Sequence, residues 1–324
     1  MNNLLNNIAS EADGTKHPVY LTDGGLETTL IFHRGIELPH FASFELMTHA
    51  EGKGVLREYF RDYLEIAKRY GFGFVIETPT WRSNTDWGYR LGYSEEELRR
   101  INMEAIRFGR EVAEESGIPL ENVIVSGCIG PRGDGYSVAG RMTAEEAEAY
   151  HAPQIGAFAQ AGADVVTAMT INYIDEGIGI VRAAKTEGIP AVISFTLETD
   201  GRLPGGESLQ EAIEQTDRQT DGYASYFMIN CAHPEHFQGE LEGEGEWKNR
   251  IRGIRANAST KSHAELDESE TLDVGDHSRL AAGYRRLRSL LPELRVVGGC
   301  CGTDHTHIDA VCEHMFAVTT DGVG

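Results

Sequence analysis

Basic residues are scarce in this chain of 324 residues, where 29 Lys and Arg stand against 51 Asp and Glu and the formal charge is −22. Non-specific binding of DNA or RNA needs clustered Lys and Arg that displace counterions, so this class of protein is excluded. Long apolar runs are also lacking, because no stretch approaches the roughly 18 residues of a membrane span. The first residues, MNNLLNNIASEADG, contain no basic signal-peptide segment. We therefore expect a cytoplasmic protein without nucleic-acid or membrane partners, and leave its association into a homo-oligomer open.

Cysteine is the second scarce residue, with five in the chain. Five cysteines are too few for a disulfide scaffold, and an odd number cannot all pair with one another. In a reducing compartment, cysteines are more often metal ligands or catalytic groups than disulfides. Two of the five, Cys300 and Cys301, are adjacent and lie among Gly298, Gly299 and Gly302. A functional hypothesis has to explain this vicinal pair.

Apolar, β-branched runs alternate with amphipathic segments along the chain. The strand-like runs begin near residues 19, 73, 122, 164, 190, 225, 251 and 294. Ser94 and Thr143 are predicted helix N-caps, since each has a Glu three residues later. Eight strands alternating with helices predict a single α/β domain over residues 1–324, a (β/α)8 TIM barrel with an N-terminal extension at 1–17. The alternative, a doubly wound sheet, lacks its Gly-rich dinucleotide fingerprint. The acidic segment 235–276 is predicted to form surface loops.

In such a barrel, functional residues lie at the carboxyl ends of the strands. The sixth strand is predicted to end at Cys231 and the eighth at Cys300 and Cys301, and alternate strands contribute to one layer of the barrel interior. A backbone turn at the flanking glycines would let all three thiols converge. Three thiolates suit Zn2+ and leave its fourth tetrahedral position open. The sequence therefore predicts a zinc site at the C-terminal ends of the strands.

The charge of such a site indicates its chemistry. Zn2+ with three thiolates is electron-rich and a poor acid for activating water, but it suits a substrate thiol that must lose its proton and stay nucleophilic. Transfer of an alkyl group to sulfur is favoured over hydrolysis, and the strand ends offer no His for a hydrolase. Ordinary buried cysteines and a strained disulfide between Cys300 and Cys301 remain alternatives. Cys128 and Cys312 are predicted to be core residues.

Several segments resemble the homocysteine S-methyltransferase family, zinc-dependent barrels that methylate homocysteine to methionine. VVGGCCGTDHTHI (296–308) is similar to the family's GGCCGT end and its following His-Ile pair. LTDGGLETTL (21–30) resembles the first strand of the family, and MINCAHP (228–234) resembles its Asn-Cys segment. SGCIGP (126–131) and SFTLETDGRLPGGESL (194–209) are weaker matches.

The resemblance implies that the zinc ligands and catalytic centre are Cys231, Cys300 and Cys301. It places the Asp-Gly-Gly segment against the amino-acid part of the substrate, with two polar side chains in support: Asp23, Gly24, Gly25, Ser194 and Asn230. Glu77, which ends the second strand, is added from the residues alone, either as a substrate carboxylate or as a helix N-terminal partner. Trp81, Trp87 and Tyr89 follow it and either pack together or cage a methylated cation.

Three positions depart from the family pattern. Met169-Thr170 stands where the family has a Glu-Thr pair whose Glu binds the substrate's amino group, and Cys128 stands where Ser is usual. Arg255-Ala256-Asn257 replaces a Tyr-Pro-Asn segment. Either Asp23, Glu77 or Asp175 replaces the lost Glu, or the acceptor is a different thiol.

We predict a zinc-dependent S-methyltransferase that uses a small-molecule thiol and a small-molecule methyl donor. The donor is a sulfonium or a quaternary ammonium compound, and the expected acceptor is homocysteine, which would place the protein in methionine biosynthesis. The alternatives are a related barrel that acts on another thiol or with a separate corrinoid protein, and a zinc- or thiol-binding protein without turnover.

Overall fold

The structure, a computed structural model, describes residues 8, 18–267, 269 and 271–316. Eight parallel strands form a closed barrel in sequence order, and β1 pairs with both β2 and β8. The strands are β1 Tyr20–Leu21, β2 Gly73–Glu77, β3 Val123–Ile129, β4 Val165–Ile171, β5 Ala191–Thr196, β6 Ala224–Asn230, β7 Ile251–Ala256 and β8 Val296–Gly299. The predicted (β/α)8 barrel is confirmed, and closure of the sheet excludes the doubly wound alternative.

Longer helices pack around the outside of the barrel. They are α1 Ala50–Tyr70, α2 Glu95–Glu115, α3 Ala144–Ala161, α4 Ile174–Glu187, α5 Leu209–Thr220, α6 His277–Leu290 and α7 His305–Phe316. Shorter α-helical and other helical turns lie in the connections: Leu26–Thr28, Thr29–His33, Pro39–Phe41, Ser43–Thr48, Thr85–Arg90, Leu120–Asn122, Pro234–Phe237, Gln238–Leu241, Glu246–Arg250 and His263–Asp267. In the described part of the chain, every helix is too short or too polar to cross a membrane.

Local sequence signals account for the helix boundaries. Ser94 and Thr143 form capping boxes at the starts of α2 and α3, each with the Glu three residues later. Such a cap contributes about 1 kcal/mol to helix stability. Gly162 ends α3 in the left-handed conformation, with φ 81°, which glycine adopts without the strain of a Cβ atom.

Apolar side chains from alternate positions of the strands fill the barrel interior. Tyr20, Val75, Tyr226 and Met228 belong to this inner cluster, and Ile8 packs into it fully buried. The carbonyl of Ile8 accepts a hydrogen bond from Arg252 Nη1 at 3.0 Å. Apart from Ile8, the predicted extension at 1–17 lies outside the described residues.

The acidic segment 235–276 differs from the prediction of surface loops. Besides β7, which was predicted near residue 251, it contains several of the short helical turns, and Trp247 is buried in the core. His263, Leu266 and Leu272 line the cavity at the carboxyl end of the barrel. The high acidic content of the segment hid these apolar residues, because they are isolated and show no strand or helix period.

Candidate active site

Three cysteine sulfurs meet at the carboxyl end of the barrel. Cys231 follows β6, and Cys300 and Cys301 follow β8; their Sγ atoms all lie within 4.8 Å of one another. The structure joins Cys231 to Cys300 as a disulfide, with Cα atoms 5.4 Å apart, and Cys301 lies beside this pair. Cys300 is thus bonded to a cysteine of another strand end, which does not favour the alternative of a bond between the neighbours Cys300 and Cys301. Cys128 and Cys312 are buried and unpaired.

Unusual backbone geometry brings these sulfurs together. Cys231 has a left-handed φ of 55°, which is strained for a residue with a side chain. Its N–H donates to the Arg255 carbonyl at 3.1 Å, which holds the turn. After β8 the left-handed residue is Gly302, with φ 78°. Gly298 and Gly299 lie in β8, where a Cβ atom would collide with Thr22 and Thr303.

Polar hydrogens surround the sulfurs. Asn230 Nδ2 lies 3.2 Å from Cys231 Sγ and 3.8 Å from Cys300 Sγ. The hydroxyl of Thr170 lies 3.8 Å from Cys231 Sγ, and that of Tyr136 lies 3.7 Å from Cys301 Sγ. Hydrogen bonds donated to sulfur favour the thiolate over the thiol. The arrangement therefore suits cysteines that act as anions.

Asn230 is itself fixed by neighbouring strands. Its Oδ1 accepts from Ser194 Oγ at 2.7 Å and from the Thr170 N–H at 2.9 Å, while its Nδ2 also donates to Thr170 Oγ1 at 2.8 Å. Ser194 is on β5, so three consecutive strands determine where the amide points. Ser194 contacts Asn230 and is fully buried, and it supports the site through that contact.

Asp23 follows β1 and is buried in a network of donors. Its carboxylate contacts Arg255 Nη1 at 2.9 Å, Tyr59 Oη at 3.0 Å and Thr22 Oγ1 at 2.9 Å. The N–H of Gly25 donates to the Thr303 carbonyl at 3.0 Å. The Asp-Gly-Gly segment thus packs against the end of β8. The Asp23 carboxylate and the Gly25 N–H both have hydrogen-bond partners within the protein.

Arg255, on β7, is the main site residue that sequence reasoning did not assign. Besides Asp23, its guanidinium donates to the carbonyls of Gly299 and Gly24, each at 2.9 Å, and to Thr22 Oγ1 at 3.1 Å. Burial opposes its charge, yet the nearby carboxylates prevail and its pKa is raised. The available signal was an arginine inside the apolar run IRGIRA, which demands a buried anionic partner.

Glu77 lines the same cavity at the end of β2, and 5 % of its surface is exposed. Its Oε2 has no hydrogen-bond partner among the described residues. Burial raises the pKa of this carboxyl to about 7, although Arg255 and the hydroxyls of Ser126 and Thr167 act in the opposite direction. The next helix begins at Thr85, where Asn84 provides the cap. The third candidate carboxylate, Asp175, lies exposed in the first turn of α4.

The strand ends enclose a cavity of about 410 Å³, lined by the three cysteines, Glu77 and Met169. Phe32 and Phe41 stand half-exposed at its border. Tyr136, from the loop after β3, stacks on His263 with ring centroids 3.8 Å apart. Burial lowers the pKa of His263 to about 4, so this imidazole is neutral at pH 7. These loop residues, which show no pattern in the sequence, narrow the opening.

The aromatic residues after β2 already stack on cations of the chain. The guanidinium of Arg82 lies 3.9 Å from the ring centre of Trp81 and 4.1 Å from that of Trp87. Tyr89 is exposed and donates to Glu95. The indole faces are therefore occupied, which supports packing over a cage for a substrate.

A second group of ligand-type residues, His277, Asp304 and His307, lies beside α7. His307 Nδ1 contacts Asp304 at 2.8 Å, and its Nε2 donates to the Val274 carbonyl at 2.8 Å. Because both ring nitrogens of His307 are engaged, this group is a structural support of the loop after β8.

A closed (β/α)8 barrel with three cysteine sulfurs at the carboxyl ends of its strands has them where enzymes of this fold carry their active sites. Residues 20–315 match the profile of the family described as homocysteine S-methyltransferase. Homocysteine S-methyltransferase 1 of Arabidopsis thaliana is 22% identical, over 91% of this chain and 93% of that protein. The homocysteine methyltransferase MmuM of Escherichia coli has the same fold in its oxidised form (TM-score 0.73, 21% identity, 96% of this chain and 99% of that one). The metallated form of MmuM has a TM-score of 0.71 and 20% identity, and the match covers 91% of this chain and 96% of that one.

The chain belongs to the homocysteine S-methyltransferase family, as the sequence motifs predicted. It is an enzyme, a methyltransferase, and homocysteine is the methyl acceptor that defines its family.

Proposed function

We propose that this protein is a zinc-dependent enzyme that transfers a methyl group from a cationic donor, a sulfonium or a quaternary ammonium compound, to the sulfur of homocysteine. The observation that carries the proposal is the cluster of three cysteine sulfurs within 4.8 Å of one another, facing a cavity of about 410 Å³. Cys231, Cys300 and Cys301 are the proposed metal ligands.

The donor set fits zinc. Three sulfur ligands from two strand ends match a tetrahedral ion with one open position for a substrate. The Asn230 amide and the Tyr136 hydroxyl point at these sulfurs from the protein side, as do the groups that orient metal ligands in other sites. The disulfide between Cys231 and Cys300 would have to be reduced first.

When bound at this site, Zn2+ would supply Lewis acidity that lowers the pKa of a substrate thiol. The chain's own residues do the rest. Asn230, held by Ser194 and Thr170, keeps the cysteine sulfurs in place. The aromatic border of Phe32 and Phe41 shields the cavity from bulk water, which protects a nucleophilic sulfur from solvation and side reactions.

Because the donor is cationic, methyl transfer requires no proton from a residue of the cavity. The acceptor thiol releases its proton to water, and its sulfur forms a bond to the methyl carbon while the donor's bond from sulfur or nitrogen to that carbon breaks. The bonding electrons return to the positive atom, so the donor leaves neutral and needs no general acid. Asp23 has its hydrogen bonds within the protein, and we assign to it, Gly24 and Gly25 the positioning of β1 against β8 beside the acceptor.

Metal content and turnover test the proposal together. The reduced protein is expected to bind one zinc per chain and to methylate homocysteine from S-methylmethionine, S-adenosylmethionine or betaine. Cys301→Ser should lose zinc and activity, whereas Cys312→Ser, which changes a cysteine buried outside the cavity, should keep both. Reduced protein without zinc would overturn the proposal. One zinc per chain without product from any donor would instead indicate a zinc- or thiol-binding protein.

A further inference from the structure

We propose that Glu77 is the residue that binds the ammonium group of the methyl acceptor, so that the acceptor's amino group lies over β2. This inference rests on the proposed function. It assigns to the cavity a thiol that carries an ammonium group, and it identifies the position that selects such a thiol.

Strand β4 itself, fully described from Val165 to Ile171, contains no carboxylate. Met169 is buried there and packs with Cys128, Met228 and the partly buried Trp81. Burial raises the pKa of the Cys128 thiol well above its usual value, so it is uncharged. An ammonium group over β4 would face thioether, thiol and carbon, and a cation desolvated in this way costs several kcal/mol.

Glu77 offers what β4 lacks. It lies on the strand next to β3, in register with Ser126, and its side chain reaches the cavity. One carboxylate oxygen, Oε2, is buried and has no hydrogen-bond partner in the described part of the chain. A buried carboxylate oxygen without a donor is costly, and an ammonium group provides up to three N–H donors.

The surrounding charges favour a cation at this place. Asp23 and Arg255 form an ion pair at 2.9 Å, and the other donors to Asp23 are Tyr59 and Thr22. Glu77 therefore stands as a second carboxylate beside a pair that is already neutral. The positive charge of an acceptor ammonium group would balance the charge that Glu77 adds to this pair. Arg255 thus engages Asp23, whereas Oε2 of Glu77 stays without a hydrogen-bond partner among the described residues.

The test compares two thiols that differ in the amino group alone: homocysteine and 4-mercaptobutanoate. Dissociation constants from calorimetry and kcat/KM values are measured for the zinc-loaded protein. Wild type should prefer homocysteine, and Glu77→Gln should reduce that preference about 10- to 100-fold, the range expected for a lost charge-assisted hydrogen bond. The Met169→Glu change in the Glu77→Gln background should restore part of the preference.

Glu27→Gln is the matched control, because Glu27 also lines the cavity but accepts a hydrogen bond from Ser43 at 2.7 Å. Its change should leave the preference between the two thiols unaltered. An unaltered preference in Glu77→Gln, or an equal loss for both thiols, would overturn the inference while leaving the methyltransferase proposal intact. Because calorimetry reads binding without turnover, failure of catalysis in wild type would be recognised separately. Glu77→Asp replaces Glu77→Gln if the latter does not fold.

Discussion

Replacing Glu77 by Gln should stabilise the free enzyme, in a manner that depends on pH. Burial raises the pKa of this carboxyl from 4.5 to about 7, a difference of about 2.5 units, or about 3 kcal/mol. The folded state binds this proton more tightly than the unfolded state does. The free energy of unfolding of wild type therefore falls by this amount as the pH rises from about 4.5 to 7, and it falls no further above pH 7. The charged or titratable groups that face Glu77 are Asp23, Arg255, Cys128 and Tyr226.

Thermal unfolding of reduced, metal-free protein at pH 5 and pH 8 measures the effect. For a chain of 324 residues, we expect Glu77→Gln to melt about 3–5 °C above wild type at pH 8 and to show a much smaller difference at pH 5. Glu121→Gln, a change at an exposed position, should leave the melting temperature unchanged at both pH values. A gain of the same size at both pH values would refute the assignment to a buried charge. A loss of stability at pH 8 would show that Glu77 contributes to folding.

Two further predictions concern residues that hold the site. Arg255→Met leaves Asp23 buried without its cation and removes the donors to two carbonyls, so unfolding should become easier by about 3–5 kcal/mol. Arg279 is exposed and paired with Glu235, so Arg279→Met should lower the free energy of unfolding by at most about 1 kcal/mol. Equal melting temperatures for Arg255→Met and Arg279→Met would contradict this reasoning. Asn230→Ala removes the amide donor to two sulfurs and should weaken zinc binding about 10- to 100-fold in a chelator competition. Unchanged affinity would show that the amide merely fills space.

A stability gain at Glu77 together with a loss of acceptor binding would have a simple physical reason. The free enzyme keeps a carboxylate in a site that becomes favourable only when the ligand brings an ammonium group. Binding sites often carry such locally unfavourable groups, and the rest of the fold compensates for them. Here, the compensation comes from the ion pair and the three hydrogen bonds that join β1, β7 and β8 around Arg255.

Local signals in the sequence determined the architecture. β-Branched runs set the eight strands, and the capping boxes at Ser94 and Thr143 set helix starts, because both depend on residues a few positions apart. The convergence of Cys231 with Cys300 and Cys301 was also predictable, since a parallel barrel brings the carboxyl ends of its strands to one edge. These features require chain order and strand period, and both are present in the sequence.

The tertiary structure alone decided which polar groups are occupied and which are left available. The pairing of Arg255 with Asp23, the contact of Tyr136 with Cys301 and the unpartnered oxygen of Glu77 all depend on side chains that meet across the barrel. Sequence patterns repeat every two to four residues and carry no information about such meetings. The sequence shows a carboxylate at the end of a strand for both Asp23 and Glu77. It does not show that an arginine neutralises Asp23 while Glu77 faces a cavity.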